Sequence, residues 1–296
     1  MSVTGTGTGR LHPRRPARPE RRTILFALPD LVEPYFAELA TLVLSRAEES
    51  DVSVVMYQTW GEHERELNAI NGVGVPQTDG LLHVPRSLRV ADLTRRALPG
   101  PLVLLGEHIE SSPFAHVSID NHAAAAAATR HLMRRGCHRI AMIGPREPDS
   151  DASNRRYAGY RTALAEKGVE LEPALVGWLR FFTLTEGRAT MLRMLDAGTR
   201  FDGLVCSNDS VALGAISALT SRGLRVPDDV RVVGMDDITM AAHAVPPLTT
   251  VGPDKEVMVD RAISLLVRQM NTPASLDLPV EQINIAFNLI ERDSTR

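Results

Sequence analysis

TILFAL, Thr23 to Leu28, followed after a short break by PYFAELATLVLSRAEES, Pro34 to Ser50, decides the fold class. The first segment is a short run without a charge, as expected for a strand covered on both faces of its sheet. In the second, Tyr35, Phe36, Leu39, Leu42, Val43 and Ala47 recur at helical spacing, and Pro34 suits a first helical turn. The same strand-then-helix pattern repeats outward from there. VSVVMY (Val52 to Tyr57) predicts a strand and Glu62 to Asn71 a helix. Strand Gly80–Val84, a helix near Val90–Leu98, and strands Pro101–Leu105 and His116–Ile119 follow. AAAAAA (Ala123 to Ala128) opens a helix that stops at Gly136, a suitable C-cap. A second series starts with RIAMIG (Arg139 to Gly144). It continues through helices Arg155–Lys167 and Thr185–Asp196, strand GLVC (Gly203 to Cys206), helix Asp209–Arg222 and strand VRVVGM (Val230 to Met235). One long helix, about Asp254 to Met270, and a final strand from Leu278 to about Ile290 close the chain. Strands alternating with helices imply parallel sheets with helices on both faces. Two such series predict an α/β protein of two doubly wound subdomains. In open α/β sheets ligands sit beyond the carboxyl ends of the strands, so two sets of strand ends can face one cleft.

Composition narrows the function classes. The 296 residues are 44% hydrophobic and 23% charged, ordinary globular usage with ample material for a core. A net charge of -3 excludes a globally basic nucleic-acid binder, though not a local patch. Cys137 and Cys206 are too few and too far apart for a disulfide framework or a zinc knuckle, which favours a reducing compartment. Residues 1–22 form a Gly/Thr then Arg/Pro tail in which Pro13, Pro16 and Pro19 forbid a regular helix. The tail lacks the apolar run of a secretory signal, and no stretch has the length of a membrane span, so a cytoplasmic chain without a membrane partner is expected. There is no Gly-x-Ser-x-Gly elbow, phosphate-binding loop or His-Glu-x-x-His, and the nine histidines show no metal-ligand spacing. No catalytic residue, metal or cofactor is expected.

Six strings, taken together in their order along the chain, carry a resemblance. They are PDLVEPYFAEL from Pro29, HLMRRGCHRIAMIGP from His131, RRYAGYRTALAEKGV from Arg155, SNDSVALGAISAL from Ser207, RVPDDVRVVGMDDI from Arg225 and PPLTTV from Pro246. Together they resemble the lactose-repressor (LacI) type of bacterial transcription regulators from Thr23 to the C-terminus. That resemblance implies a sensor core like a periplasmic sugar-binding protein, with three chain crossings between subdomains. It puts residues 23–118 with 252–275 in the N-terminal subdomain and 119–251 with 276–296 in the C-terminal one. It also implies a homodimer, a sugar or nucleoside-like effector, and operator DNA as a partner through an N-terminal helix-turn-helix module. That module is not legible in residues 1–22, so this chain is expected to bind DNA weakly and without sequence preference. Helix Asp209–Arg222 offers Ala212, Leu213, Ile216 and Leu219 as a stripe for a dimer contact, although the same stripe serves as its core face. A stand-alone metabolite-binding protein and an exported solute-binding protein are the readings from other classes.

Candidate ligand residues follow from residue chemistry and from the resemblance. Asp236 and Asp237 stand after an apolar strand, where a carboxylate can accept two hydroxyl hydrogen bonds from a polyol. The resemblance implies a ligand-gripping acid at Asp236, whereas Asp237 reads as a cap. Arg156, expected in a first helical turn, gains nothing there from the helix dipole and so points to another partner; the resemblance implies ligand oxygens. Asn208 can donate to and accept from a sugar hydroxyl, with Asp209 reading as the N-cap of the next helix. Tyr35, Phe36 and Phe182 are the aromatic candidates, Phe182 because the resemblance implies stacking on the ligand. Asp30 and Asp120, each just after a strand, are weaker candidates.

Overall fold

The computed structural model describes residues 21–106, 109, 112–146, 152–273, 276 and 279–296. Strands β1 (Arg22–Leu28), β2 (Val52–Gln58), β3 (Gly80–His83), β4 (Leu102–Leu105) and β5 (Ala115–Ser118) alternate with helices α1 (Pro34–Glu49), α2 (His63–Asn71) and α3 (Val90–Thr94). Beyond them come α4 (Asn121–Arg134), β6 (Ile140–Arg146), α5 (Ala152–Glu166), β7 (Val176–Leu179), α6 (Leu184–Asp196), β8 (Gly203–Cys206), α7 (Asp209–Ser221), β9 (Arg231–Met235), α8 (Thr239–His243) and β10 (Thr249–Pro253). Helix α9 (Lys255–Asn271) and strands β11 (Gln282–Asn284) and β12 (Phe287–Ile290) complete the fold. The strands form two six-stranded sheets, ordered β11-β5-β4-β3-β1-β2 and β12-β10-β9-β8-β6-β7. Every pairing is parallel except that of β12 with β10.

Both faces of both sheets are covered, which explains the uninterrupted apolar runs. In β1, Ile24, Phe26 and Leu28 pack with α1 and α9, while Leu25 and Ala27 enter a separate cluster with Ala69, Ile70 and Leu93 of α2 and α3. In β8, Leu204 and Cys206 pack with α6 and α7, whereas Val205 packs with α4 and α5. A period-2 strand with helices on each side must be apolar at every position.

The expected α/β class with two doubly wound sheets is the one observed. Several details differ. The tail expected over residues 1–22 lies, as far as residue 20, outside the described residues, and β1 already begins at Arg22. The last strand, expected to be continuous, is two strands in different sheets: β11 pairs with β5 of the first, β12 with β10 of the second. The chain therefore crosses for the third time between Asn284 and Phe287, not near residue 275. The other crossings lie between β5 and α4 and between β10 and α9, since α9 packs on the first sheet. The stripe proposed for a dimer contact is consumed internally. Ala212, Ile216 and Leu219 are buried against α6 and the second sheet, with Leu213 partly buried beside them. Gly214 lets the two helices close up, because a Cβ there would stand 2.0 Å from the Leu184 carbonyl oxygen.

Candidate functional site

A cavity of about 90 Å³ lies where the carboxyl ends of the two sheets meet. The first sheet contributes Glu33, Tyr35, Phe36 and Leu39 after β1, Val84, Pro85 and Arg86 after β3, and Leu105 and Gly106 at the end of β4. The second contributes Ala152, Ser153 and Arg156 after β6, Phe182 after β7, Ser207 and Asn208 after β8, and Asp236 after β9. Most lining residues sit at or just beyond strand-to-helix connections at the carboxyl ends of the strands, although Leu105 and Gly106 lead to strand β5.

The polar floor is built around Arg156. Its Nε donates to Asn121 Oδ1 at 2.5 Å, one Nη donates to the Ser207 carbonyl, and the other lies 3.3 Å from Asp236 Oδ1. Helix α5 begins at Ala152, so Arg156 stands one turn deeper than a first-turn residue, and the dipole reasoning for it weakens. Asp236 sits on a strained turn: it and Asp237 have φ of 107° and 51°, a region that L side chains rarely adopt. The turn is held from several sides. Ile238 N–H donates to Asp209 Oδ2 at 2.9 Å, Asp237 N–H to Thr250 Oγ1 at 3.3 Å, and Arg292 pairs with the Asp237 carboxylate at 2.7 Å. Asp237 is therefore an ion-pair partner and not a cap. Asp209 is not a cap either. It is fully buried, accepts from Thr250 Oγ1 at 2.7 Å, and its carboxyl is pushed well above the usual range by burial and by the nearby Asp236. Gly234 is needed beside it, since a Cβ there would stand 2.1 Å from Asp209 Oδ1.

Asn208 takes the capping role in α7, its Oδ1 accepting from Val211 N–H at 2.8 Å. Its Nδ2 donates to the Phe182 carbonyl at 3.1 Å and so fixes the β7 connection. The aromatic wall comes from both sides. Tyr35 and Phe36 meet edge to face with centroids 5.4 Å apart, and the Arg86 guanidinium lies 5.9 Å from the Phe36 centroid and 5.3 Å from that of Phe182.

Of the residues expected at the site, Tyr35, Phe36, Arg156, Phe182, Asn208 and Asp236 all line this one cavity. Asp30 and Asp120 do not. Asp30 accepts from Val32 N–H at 2.8 Å, and Asp120 caps α4 by accepting from Ala123 N–H at 2.8 Å, beside a separate groove at the crossings. Sequence reasoning missed Glu33, Arg86 and Ser207. Glu33 stands at the N-cap of α1 but makes no capping bond; its Oε1 instead accepts from Ser210 Oγ of the opposite subdomain at 2.7 Å. Burial pushes its carboxyl up to about 7; Ser210 and Arg86 act downward, Asp236 and Asp30 upward. The available signal was an acid directly before Pro34 at a strand-helix connection, which is also how an ordinary cap reads. Ser207 lines the cavity with a buried hydroxyl that has no partner among the described residues.

No group of three His, Cys, Asp or Glu side chains able to hold a metal occurs among the described residues, and none of their helices is long and apolar enough to cross a membrane. Residues 129–295 match the family model of the periplasmic binding protein-like domain. The transcriptional repressor CytR of Escherichia coli is 30% identical over 262 residues, 87% of this chain and 75% of CytR. The chain belongs to the LacI family. Among solved structures, the E. coli repressor AscG superposes on this LacI-family chain with a TM-score of 0.78 at 29% identity, covering 92% of this chain and 98% of AscG. The regulator CelR in complex with cellobiose gives 0.77 at 32% identity, covering 94% and 86%. The two-sheet body described above is thus the effector-binding core of a LacI-family regulator.

Proposed function

We propose that this core senses a small polar metabolite, a sugar or a nucleoside, bound in the cavity between the sheets, and that it is a regulator and not an enzyme. The observation that carries the reading is the Arg156–Asp236 pair at the cavity floor, bounded by Phe36 from one subdomain and Phe182 from the other. A neutral polyol carries donors and acceptors on adjacent carbons; a guanidinium and a carboxylate satisfy both, and an aromatic face covers the apolar side of a sugar ring. The complex of the related CelR with cellobiose supports the sugar class. Because both subdomains line the cavity, a ligand shifts the hinge by its differential affinity for the closed and open states. Following the family, we extend the reading to a homodimer that passes the hinge angle to DNA-binding heads. A thermal-shift screen of pentoses, hexoses, nucleosides and their phosphates tests the ligand class. Calorimetry on any hit follows, and sedimentation at micromolar concentration tests the dimer. No hit across the panel sinks the sugar-or-nucleoside reading.

A further inference from the structure

Lys255 is one of only two lysines in the sequence, against 31 arginines. It occupies the first position of α9, where the helix dipole disfavours a cation, so its partners must outweigh that placement. Its Nζ donates to Glu38 Oε2 at 2.6 Å, to the Asp237 carbonyl at 2.6 Å and to the Asp236 carbonyl at 3.2 Å. Three acceptors converge on a group that has three donors on one atom. A guanidinium spreads its donors over a plane and three nitrogens, and cannot reproduce that tripod. Two of the acceptors are the carbonyls of the positive-φ turn that carries Asp236; the third belongs to α1 of the opposite subdomain. Glu38 grips the same segment twice, its other oxygen accepting from Thr239 N–H at 2.7 Å. Burial acts upward on the Glu38 carboxyl, but the Lys255 and Thr239 hydrogen bonds hold it below its usual range.

We propose that Lys255 is a positioning residue of the effector site: its ammonium ties the strained Asp236–Asp237 turn to Glu38 across the cleft, so that the placement of the Asp236 carboxylate and the closing of the subdomains are set together. The proposal rests on the effector reading for its purpose, but its test needs no effector. Hydrogen exchange of the Asp237 and Ile238 amides, resolved by NMR, reports the turn, since these amides hold it to Thr250 Oγ1 and Asp209 Oδ2. In Lys255→Met and in Lys255→Arg these amides should exchange about tenfold faster or more, because each loses carbonyl anchors that only the tripod supplies. Lys255→Met should also show a larger radius of gyration in solution scattering. Lys255→Cys should behave like Lys255→Met, and alkylation with bromoethylamine, which rebuilds an ammonium of nearly lysine reach, should restore both readouts. Cys137 and Cys206 are buried, and burial pushes the Cys137 thiol up to about 11, so the reagent is directed to position 255. Wild-type exchange in Lys255→Arg would overturn the idea, since any cation would then suffice. Failure of aminoethylation to restore the turn in folded Lys255→Cys would overturn it equally, and the Lys255→Arg result is readable even if Lys255→Met and Lys255→Cys do not fold. An empty metabolite screen, by contrast, would count against the effector reading alone.

Discussion

At the scale of single residues, Arg156 and Asp236 are the pair on which the proposed recognition rests, and their surroundings make the two substitutions unequal. Both are nearly buried, at 12% and 9% side-chain exposure. Asp236→Asn removes the charge but keeps the shape and leaves Arg156 its bonds to Asn121 and the Ser207 carbonyl. Arg156→Ala strips three acceptors of their donor at once. Each variant should weaken binding of a screened sugar or nucleoside roughly ten- to a hundredfold, as expected for loss of one charged hydrogen bond in a closed cleft. Only Arg156→Ala should also lower the melting temperature clearly, because it removes a nearly buried guanidinium from the Asn121 amide, the Ser207 carbonyl and the Asp236 carboxylate at once. Calorimetry with a parallel melt separates the two; equal melting and unchanged affinity in both would place the ligand elsewhere. Asp236 was legible because it follows an apolar strand, at a connection that the strand-helix alternation reveals; Arg156 was singled out by its expected place in a first helical turn and by the family resemblance. Glu33 and Arg86 were not, for the charge of each has an ordinary surface explanation until the opposite subdomain is in place.

At the scale of elements, Asn208 shows how a residue can serve the fold and the site together. One end of its amide caps α7 and the other holds the Phe182 carbonyl, so it links the helix start to the aromatic wall. Asn208→Ala should cost about 1 kcal/mol through the lost cap. Its affinity loss should exceed that of Asn208→Asp, which keeps the cap and therefore the start of the helix. Thermal melts and binding measured on the two variants check this; identical behaviour would show that capping is irrelevant to the site. Long, strongly periodic elements such as α1 and α9 were readable from spacing alone. The four-residue strand β7 was not, because VGWL has too little length for periodicity to declare itself and Trp178 is exposed. Nor was the split between β11 and β12. Their apolar residues alternate without a break, and which sheet each joins depends on partners more than 30 residues away in sequence.

At the scale of the molecule, the cleft in this structure is bridged by a group that responds to pH. Glu33 of the first subdomain bonds Ser210 of the second, and its carboxyl is desolvated where the two subdomains meet. Burial first, then Asp236 and Asp30, raise it to about 7, against an ordinary value of 4.5; Ser210 and Arg86 oppose the shift without cancelling it. The sign follows from linkage. A carboxyl whose value is raised in the closed state favours closure fully while it is protonated in both states, below about 4.5. That contribution is lost as the pH rises through about 7, where the closed state must hold an ionised Glu33 beside Asp236 or else open. Lys255 also bridges the cleft, donating to the Asp236 and Asp237 carbonyls, and Arg86 lies over the Phe182 ring from the opposite side. Solution scattering without ligand should therefore give a smaller radius of gyration at about pH 5.5 than at about pH 8.5. Glu33→Gln keeps an acceptor for Ser210 and carries no charge, so it should remain compact at both values. A pH response in Glu33→Gln as large as in the unaltered chain would assign the effect to another group and remove Glu33 from the closing of the cleft.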